Sequence, residues 1–358
     1  MSSPAVSEPE VLFRVEGRAG RITLNRPQAL NALTLGMVRD IWTALLSWKA
    51  DPKVALVLLD GTGDRALCAG GDVLSLYESR GKGSELARTF WREEYRLNAL
   101  IHRYPKPFVA IQDGIVMGGG IGLSSHAQYR IVTERSMLAM PETGIGLIPD
   151  VGGTWLLSHA SGALGIYLGL TGARMNASDA IQTGFSSTYA PSSSLASLKK
   201  QLIEPSPSSV DEIIEAISDE HAVPTSPLMA RQPEIDRLFA SPTVEGIMRD
   251  LNTTTADWVQ KTRAELLQKS PLALKATLAA IRQARHLPSL EAALNVEYRL
   301  CTRLFERGEF PEGVRALLVD KDKAPKWQPR EIEEVSSDMI TALIAPFPLG
   351  EELGLMTP

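Results

Sequence analysis

The sequence predicts an α/β fold whose later part is helical, and three observations predict it. Apolar runs of strand length pass through glycine turns into helical stretches in succession: at "CAGGD", at "MGGGIGLSSHAQ", and from "YRIVT" into "MPETGIGLIPDVGG". This alternation fades near Ala190. Beyond it, "LALKATLAAIRQA" and "LEAALNVEYRLCTRLFERG" carry the composition and spacing of helices. Residues 10–190 are therefore expected to form the α/β core, and residues 191–358 a linker and a helical C-terminal region.

Taken in order, "VLFRVEGRAGRITLNRP" places β-formers on either side of Gly17 and Gly20 and reads as a hairpin that Pro27 ends. Thr34 is placed to cap a helix whose Met37, Ile41, Leu45 and Trp48 form one apolar face. Val54 to Gly61, "VALVLLDG", is a continuous apolar run, as expected of a strand covered on both faces. A further strand leads into "CAGGD", with a helix from about Val73, and "PFVAIQDG" leads into the glycine triplet. "APSSSLAS" and "EPSPSSVDE" are rich in serine and proline and read as loop or linker. The last dozen residues show no pattern.

The 358 residues are 44% hydrophobic, enough for a large core. The formal net charge is -5 and no dense Lys/Arg run occurs, so neither nucleic acid nor an anionic membrane is an expected partner. Cys68 and Cys301 lie far apart without CxxC spacing, which speaks against a disulfide scaffold or a zinc knuckle and for a reducing cytoplasm. "MSSPAVSEPEVLF" has the character of neither a secretory signal nor a transit peptide, and no apolar run is long enough to span a membrane.

Two segments set glycines between strand and helix: Ala69-Gly70-Gly71-Asp72 and Gly118-Gly119-Gly120. Such turns let backbone N–H groups face a ligand, and two convergent donors make an oxyanion hole worth about 3 kcal/mol per donor. The competing reading of either turn alone is tight packing. GxGxxG fails because Leu123 stands at the third glycine place, and P-loop, GxSxG and HExxH patterns are absent, so no metal site is expected. Glu142 and Asp150 stand in an otherwise apolar, glycine- and proline-rich run. A carboxylate withdrawn from water is costly, so such acids are either caps or working groups. Asp72 reads as a turn or cap residue, His126 as structural and Cys68 as core.

"CAGGD", "MGGGIGLSSH" and "MPETGIGLIPDVGG", in this order and at these separations, resemble the crotonase (enoyl-CoA hydratase/isomerase) superfamily. "FWREEYRLN", "LTGARM", "EYRL" and "FPEGVRALLVDKDKAPKW" extend the resemblance over Val11 to Gln328, toward its 3-hydroxyisobutyryl-CoA hydrolase branch. The resemblance implies a crotonase-like spiral of ββα units and an acyl-CoA substrate. Coenzyme A is then part of the substrate, and no separate cofactor is expected. It implies that the amides of Gly71 and Gly119 bind the thioester oxygen, that Ala69, with Gly70 beside it, lies where coenzyme A is held, and that Glu94, Glu142 and Asp150 are substrate-site acids. Glu142 would act as nucleophile or as general base, with both roles open. Hydratases of the superfamily carry a glutamate two places after the glycine triplet, where this chain has Gly122. Three functions are thus weighed: thioester hydrolase, enoyl-CoA hydratase or isomerase, and a non-catalytic acyl-CoA-binding protein. Superfamily members commonly assemble, so a homo-oligomer is open, the alternative being that the long C-terminal region covers the assembly surface.

Overall fold

A computed structural model describes residues 8–356. β1 (Val11–Glu16) and β2 (Ala19–Leu24) form the antiparallel hairpin, with Val11 opposite Leu24. Gly17, at φ 55, makes the turn. Gly20 lies inside β2 instead of in the turn, because the Trp48 ring comes within 2.5 Å of where its Cβ would stand. The Thr34 hydroxyl accepts from Met37 N at 3.2 Å and caps α1 (Leu35–Ala50), whose Met37, Ile41, Leu45 and Trp48 are buried.

Three units follow. The first is β3 (Leu56–Gly61), β4 (Ala66–Cys68), α2 (Val73–Ser79) and α3 (Glu85–His102). The second is β5 (Phe108–Gln112), β6 (Ile115–Met117) and α4 (Gly119–Ser124). The third is β7 (Tyr129–Val132), β8 (Met137–Ala139), a 3-10 turn over Glu142–Ile145, and α5 (Gly153–His159). After α6 (Leu164–Thr171) and α7 (Ala177–Gln182) comes a last short strand, β9 (Thr188–Tyr189). The first strand of each unit joins a six-stranded sheet, β1-β2-β3-β5-β7-β9, and the second joins a three-stranded parallel sheet, β4-β6-β8. This is the ββα spiral. β3 is covered on both faces as its composition predicts: Val57 and Leu59 enter the main core, Leu56 and Leu58 a second cluster behind the sheet.

The remaining elements are helices: α8 (Leu195–Ile203), α9 (Val210–Glu220), α10 (Pro227–Leu238), α11 (Val244–Leu251), α12 (Asp257–Leu266), α13 (Pro271–Ala284), α14 (Leu290–Glu306), α15 (Glu309–Val314) and α16 (Ser337–Ile344). Part of each Ser/Pro-rich stretch read as loop is therefore helical, and in the second of them a serine acts as the cap. Ser209 accepts from Glu212 N at 3.1 Å while Glu212 accepts from Ser209 N at 2.8 Å, a capping box that opens α9. α8 and α9 supply Leu198, Leu202, Ile213 and Ile217 to the cluster behind the sheet.

α14 packs on α3, and α13 on α5 and α6. The patternless final stretch also has a place. Leu353 is fully buried, Arg92 and Arg96 of α3 donate to the carbonyls of Glu351 (2.8 Å) and Leu353 (3.1 Å), and Asn295 of α14 donates to the Leu355 carbonyl at 2.9 Å. Among the described residues, no helix is long and apolar enough to cross a membrane.

Candidate active site

The site begins with the two glycine turns. After β4, Leu33 N donates to Gly70 O at 2.8 Å and Asp72 N to Leu33 O at 2.9 Å, a parallel bridge centred on Gly71. That pairing leaves the Gly71 amide directed to the opposite side. After β6, Gly118 (φ 46) opens α4, and the first intrahelical bond runs from Ile121 N to Gly118 O at 2.8 Å, so the Gly119 amide starts the helix without a carbonyl partner. The turns are pressed together. A Cβ on Gly120 would fall 2.2 Å from Cys68 O, and one on Gly119 would fall 3.3 Å from Gly71 N. Only glycine allows this approach, and it brings the two free amides to one place.

They open onto a cleft of about 510 Å³. Ala69, Gly70, Gly71, Gly119, Glu94, Glu142 and Asp150 all line it, with Val73, Leu76, Phe90, Trp91, Met117, Leu147 and Phe310 as apolar walls. Every site residue singled out in the sequence is thus brought together. The three residues given structural readings lie outside the lining. Asp72 caps α2 by accepting from Ser75 N at 3.3 Å, Cys68 is wholly buried in β4, and His126 meets the Val151 carbonyl at 2.7 Å.

Each acid reaches the cleft from a different element. Glu94 lies on α3, where Phe90, Trp91, Glu94, Tyr95 and Asn98 share the buried face while Glu93 turns outward to pair with Arg39. Glu142 begins the 3-10 turn after Pro141, and its Oε1 comes within 3.2 Å of where a Gly118 Cβ would be. Asp150 precedes the turn into α5; its side chain caps no helix and instead accepts from the Tyr95 hydroxyl at 2.6 Å. All three are at most 5% exposed, and Glu94 Oε1 and Glu142 Oε2 have no partner. Burial, and then the Asp150 charge, pushes Glu94 and Glu142 well above the usual carboxylate range. Burial also lifts Asp150, but its bonds from Tyr95 and the backbone hold it to about 6.

Lys269 and Arg174 bring cationic groups to the lining, and burial holds the Lys269 amine below its ordinary value. At Gly122, a Cβ would sit 2.7 Å from Val151 Cβ and 2.8 Å from Asn98 Nδ2, so that place has no room for any side chain.

With this geometry, comparison with known proteins is decisive: the sequence profile of the enoyl-CoA hydratase/isomerase family matches residues 19–344. The chain belongs to that family. Among family relatives, "3-hydroxyisobutyryl-CoA hydrolase, mitochondrial" of Danio rerio is 42% identical over 346 residues, covering 95% of this chain and 90% of that protein. The protein of the same name from Homo sapiens is 38% identical over 344 residues, covering 94% and 89%. The crystal structure of a carnitinyl-CoA dehydratase from Mycobacterium thermoresistibile matches with a TM-score of 0.90 at 43% identity, over 96% of this chain and 98% of that one. That of an enoyl-CoA hydratase from Rhodobacter sphaeroides 2.4.1 matches at 0.89 and 42%, over 97% and 100%.

Sequence reasoning missed Tyr95 and the steric role of Gly122. Tyr95 was findable: it stands four places after Trp91 and three before Asn98, at the spacing of α3's buried face.

Proposed function

We propose that this enzyme hydrolyses a short 3-hydroxyacyl-CoA thioester, with 3-hydroxyisobutyryl-CoA, an intermediate of valine breakdown, as its foremost substrate. The observation that carries the reading is the convergence of two unpartnered amides and three buried carboxyls on one cleft, in a chain about 40% identical to hydrolases of that name over nearly its whole length.

The thioester carbonyl is held by Gly71 N and Gly119 N, which stabilise the negative charge that grows on its oxygen. Water adds to the carbonyl carbon and the C–S bond breaks, giving the 3-hydroxy acid and coenzyme A with its thiol protonated. Glu142, next to the glycine triplet, attacks directly to form a mixed anhydride or takes the proton from water. A single turnover in 18O-labelled water tests the first: label in the Glu142 peptide marks an anhydride that water opens at the glutamyl carbon. Asp150 orients the water or the 3-hydroxyl, and Glu94 binds that hydroxyl. Ala69 and Gly70 hold the coenzyme A portion at the rim of the cleft.

The names of the two matching structures give dehydration or hydration a specific claim. Against it stands Gly122, where a second flanking glutamate would collide with Val151 and Asn98. The test is free-thiol release from 3-hydroxyisobutyryl-CoA, measured beside loss of enoyl absorbance from crotonyl-CoA. Thiol release on the first is expected; hydration of the second without it overturns the hydrolase, and no turnover of any short acyl-CoA favours a binding protein. For the compartment, the free, buried thiols of Cys68 and Cys301 suit a reducing cytoplasm, which cell fractionation checks.

A further inference from the structure

The turn that carries Asp150 has a backbone that its own residues disfavour. Val151 adopts φ 51, a left-handed conformation that a β-branched side chain resists, and Gly152 follows at φ 80. Such a conformation persists only where its surroundings impose it. Two buried side chains do so. From one side, His126 Nε2 donates to Val151 O at 2.7 Å; burial pushes its imidazole down to about 4, so the ring is neutral and this nitrogen carries the proton. From the other side, Glu297 of α14, with no exposed surface, accepts from Gly152 N at 2.7 Å, from Thr154 N at 3.0 Å and from the Thr154 hydroxyl.

We propose that Glu297 is the positioning residue for Asp150: from α14 it fixes the Val151–Thr154 turn so that the Asp150 carboxylate meets the Tyr95 hydroxyl and faces the cleft. Glu297 does not line the cleft, so it acts through the turn without touching substrate. Its placement is otherwise expensive. It occupies the stripe of α14 that also carries Leu290, Ala293, Leu294, Cys301 and Leu304, all buried, where an apolar residue would pack without desolvating a charge. Burial and the Asp150 charge raise its carboxyl to about 8 against the three donors that favour ionisation. A carboxyl kept there serves its three hydrogen bonds, and all of them end on Gly152 and Thr154, in the turn from Val151 into α5.

The inference rests on the reading of Asp150 as a working residue in thioester hydrolysis, and the experiment keeps the two apart. Thiol release by the wild-type enzyme tests that reading first. Glu297→Gln is then expected to lower kcat about 10- to 100-fold while leaving KM within about threefold, because a misplaced catalytic group costs rate more than binding. In an Asp150→Asn background the same substitution should cost almost nothing further, since there is no carboxylate left to position. A full-sized additional loss in that background, or an unchanged kcat in the single variant, overturns the proposal. Thr154→Val removes one donor with little change of shape and should give a smaller loss with the same non-additivity, which covers the case in which Glu297→Gln does not fold. If the wild type releases no thiol, hydrogen exchange decides: in Glu297→Gln the peptide spanning residues 150–158 should exchange at least about tenfold faster while residues 108–117 do not change, and unchanged exchange in the first overturns the role assigned to Glu297.

Discussion

The Tyr95 hydroxyl donates to Asp150 Oδ2 at 2.6 Å, and Cys301 Sγ lies 3.2 Å from the Tyr95 hydroxyl oxygen. With the phenol proton on Asp150, the thiol donates to the phenol, so residues from α3, α14 and the turn before α5 form one buried chain of hydrogen bonds. Its effect is electrostatic: the donor stabilises the ionised carboxylate and opposes the rise that burial imposes.

Tyr95→Phe should therefore raise the Asp150 pKa. The acid limb of kcat/KM is expected to move up by about one pH unit, with a loss of about tenfold near pH 6 that shrinks at higher pH. A pH–rate profile on 3-hydroxyisobutyryl-CoA checks this; an unmoved limb refutes the part assigned to Tyr95.

Asp150→Asn should stabilise the protein at neutral pH. The folded value of about 6 lies above the ordinary 3.8 because of burial, so the folded chain binds this proton more tightly than the unfolded chain does. That contribution is complete below the unfolded value and is lost as pH rises through the folded one. Asparagine still accepts from Tyr95 and has no proton to lose. The variant should gain about 3 kcal/mol near pH 7.5, read as a Tm several degrees higher, and most of the gain should be gone near pH 4.

Glu142→Gln should reduce turnover by about 10²- to 10⁴-fold, as for loss of a general base or nucleophile. Affinity for a non-hydrolysable thioether analogue should stay within a few-fold, because the amides of Gly71 and Gly119 and the apolar walls are untouched. Calorimetric titration beside the thiol assay reads both quantities.

Gly122→Ala should cost about 1–3 kcal/mol of stability, seen as a lower urea midpoint with an unchanged slope. The added Cβ falls 2.7 Å from Val151 Cβ, so the turn must shift and carry Asp150 with it. Activity should fall more than stability alone explains.

Legibility in the sequence followed distance along the chain. Thr34 and the first turn of α1, the apolar face of α1, the double-sided burial of β3 and the glycine turns were readable because each rests on residues within a few positions of one another. The three-residue strands β6 and β8 were hidden because their length gives no periodicity, and the start of α9 because serine serves loops and caps alike. The family motif picked out seven of the residues that line the cleft, but not what surrounds them. Glu94 sits in a charged run that reads as solvated, and its burial depends on which face of α3 meets the rest of the chain. Glu297 showed one local sign, an acid on an otherwise apolar helical stripe. Its partners at Gly152 and Thr154 lie well over a hundred residues earlier, beyond the reach of any spacing rule.

The same separation governs how this enzyme comes into being. The pocket needs α3, the turn after Asp150 and α14 in register, and the segment around Leu353 ties α3 to α14 through Arg92, Arg96 and Asn295. Helices form within microseconds from neighbours, whereas such distant closures come late. On dilution from denaturant, circular dichroism should recover well before thiol release, making turnover a clock for the final docking step.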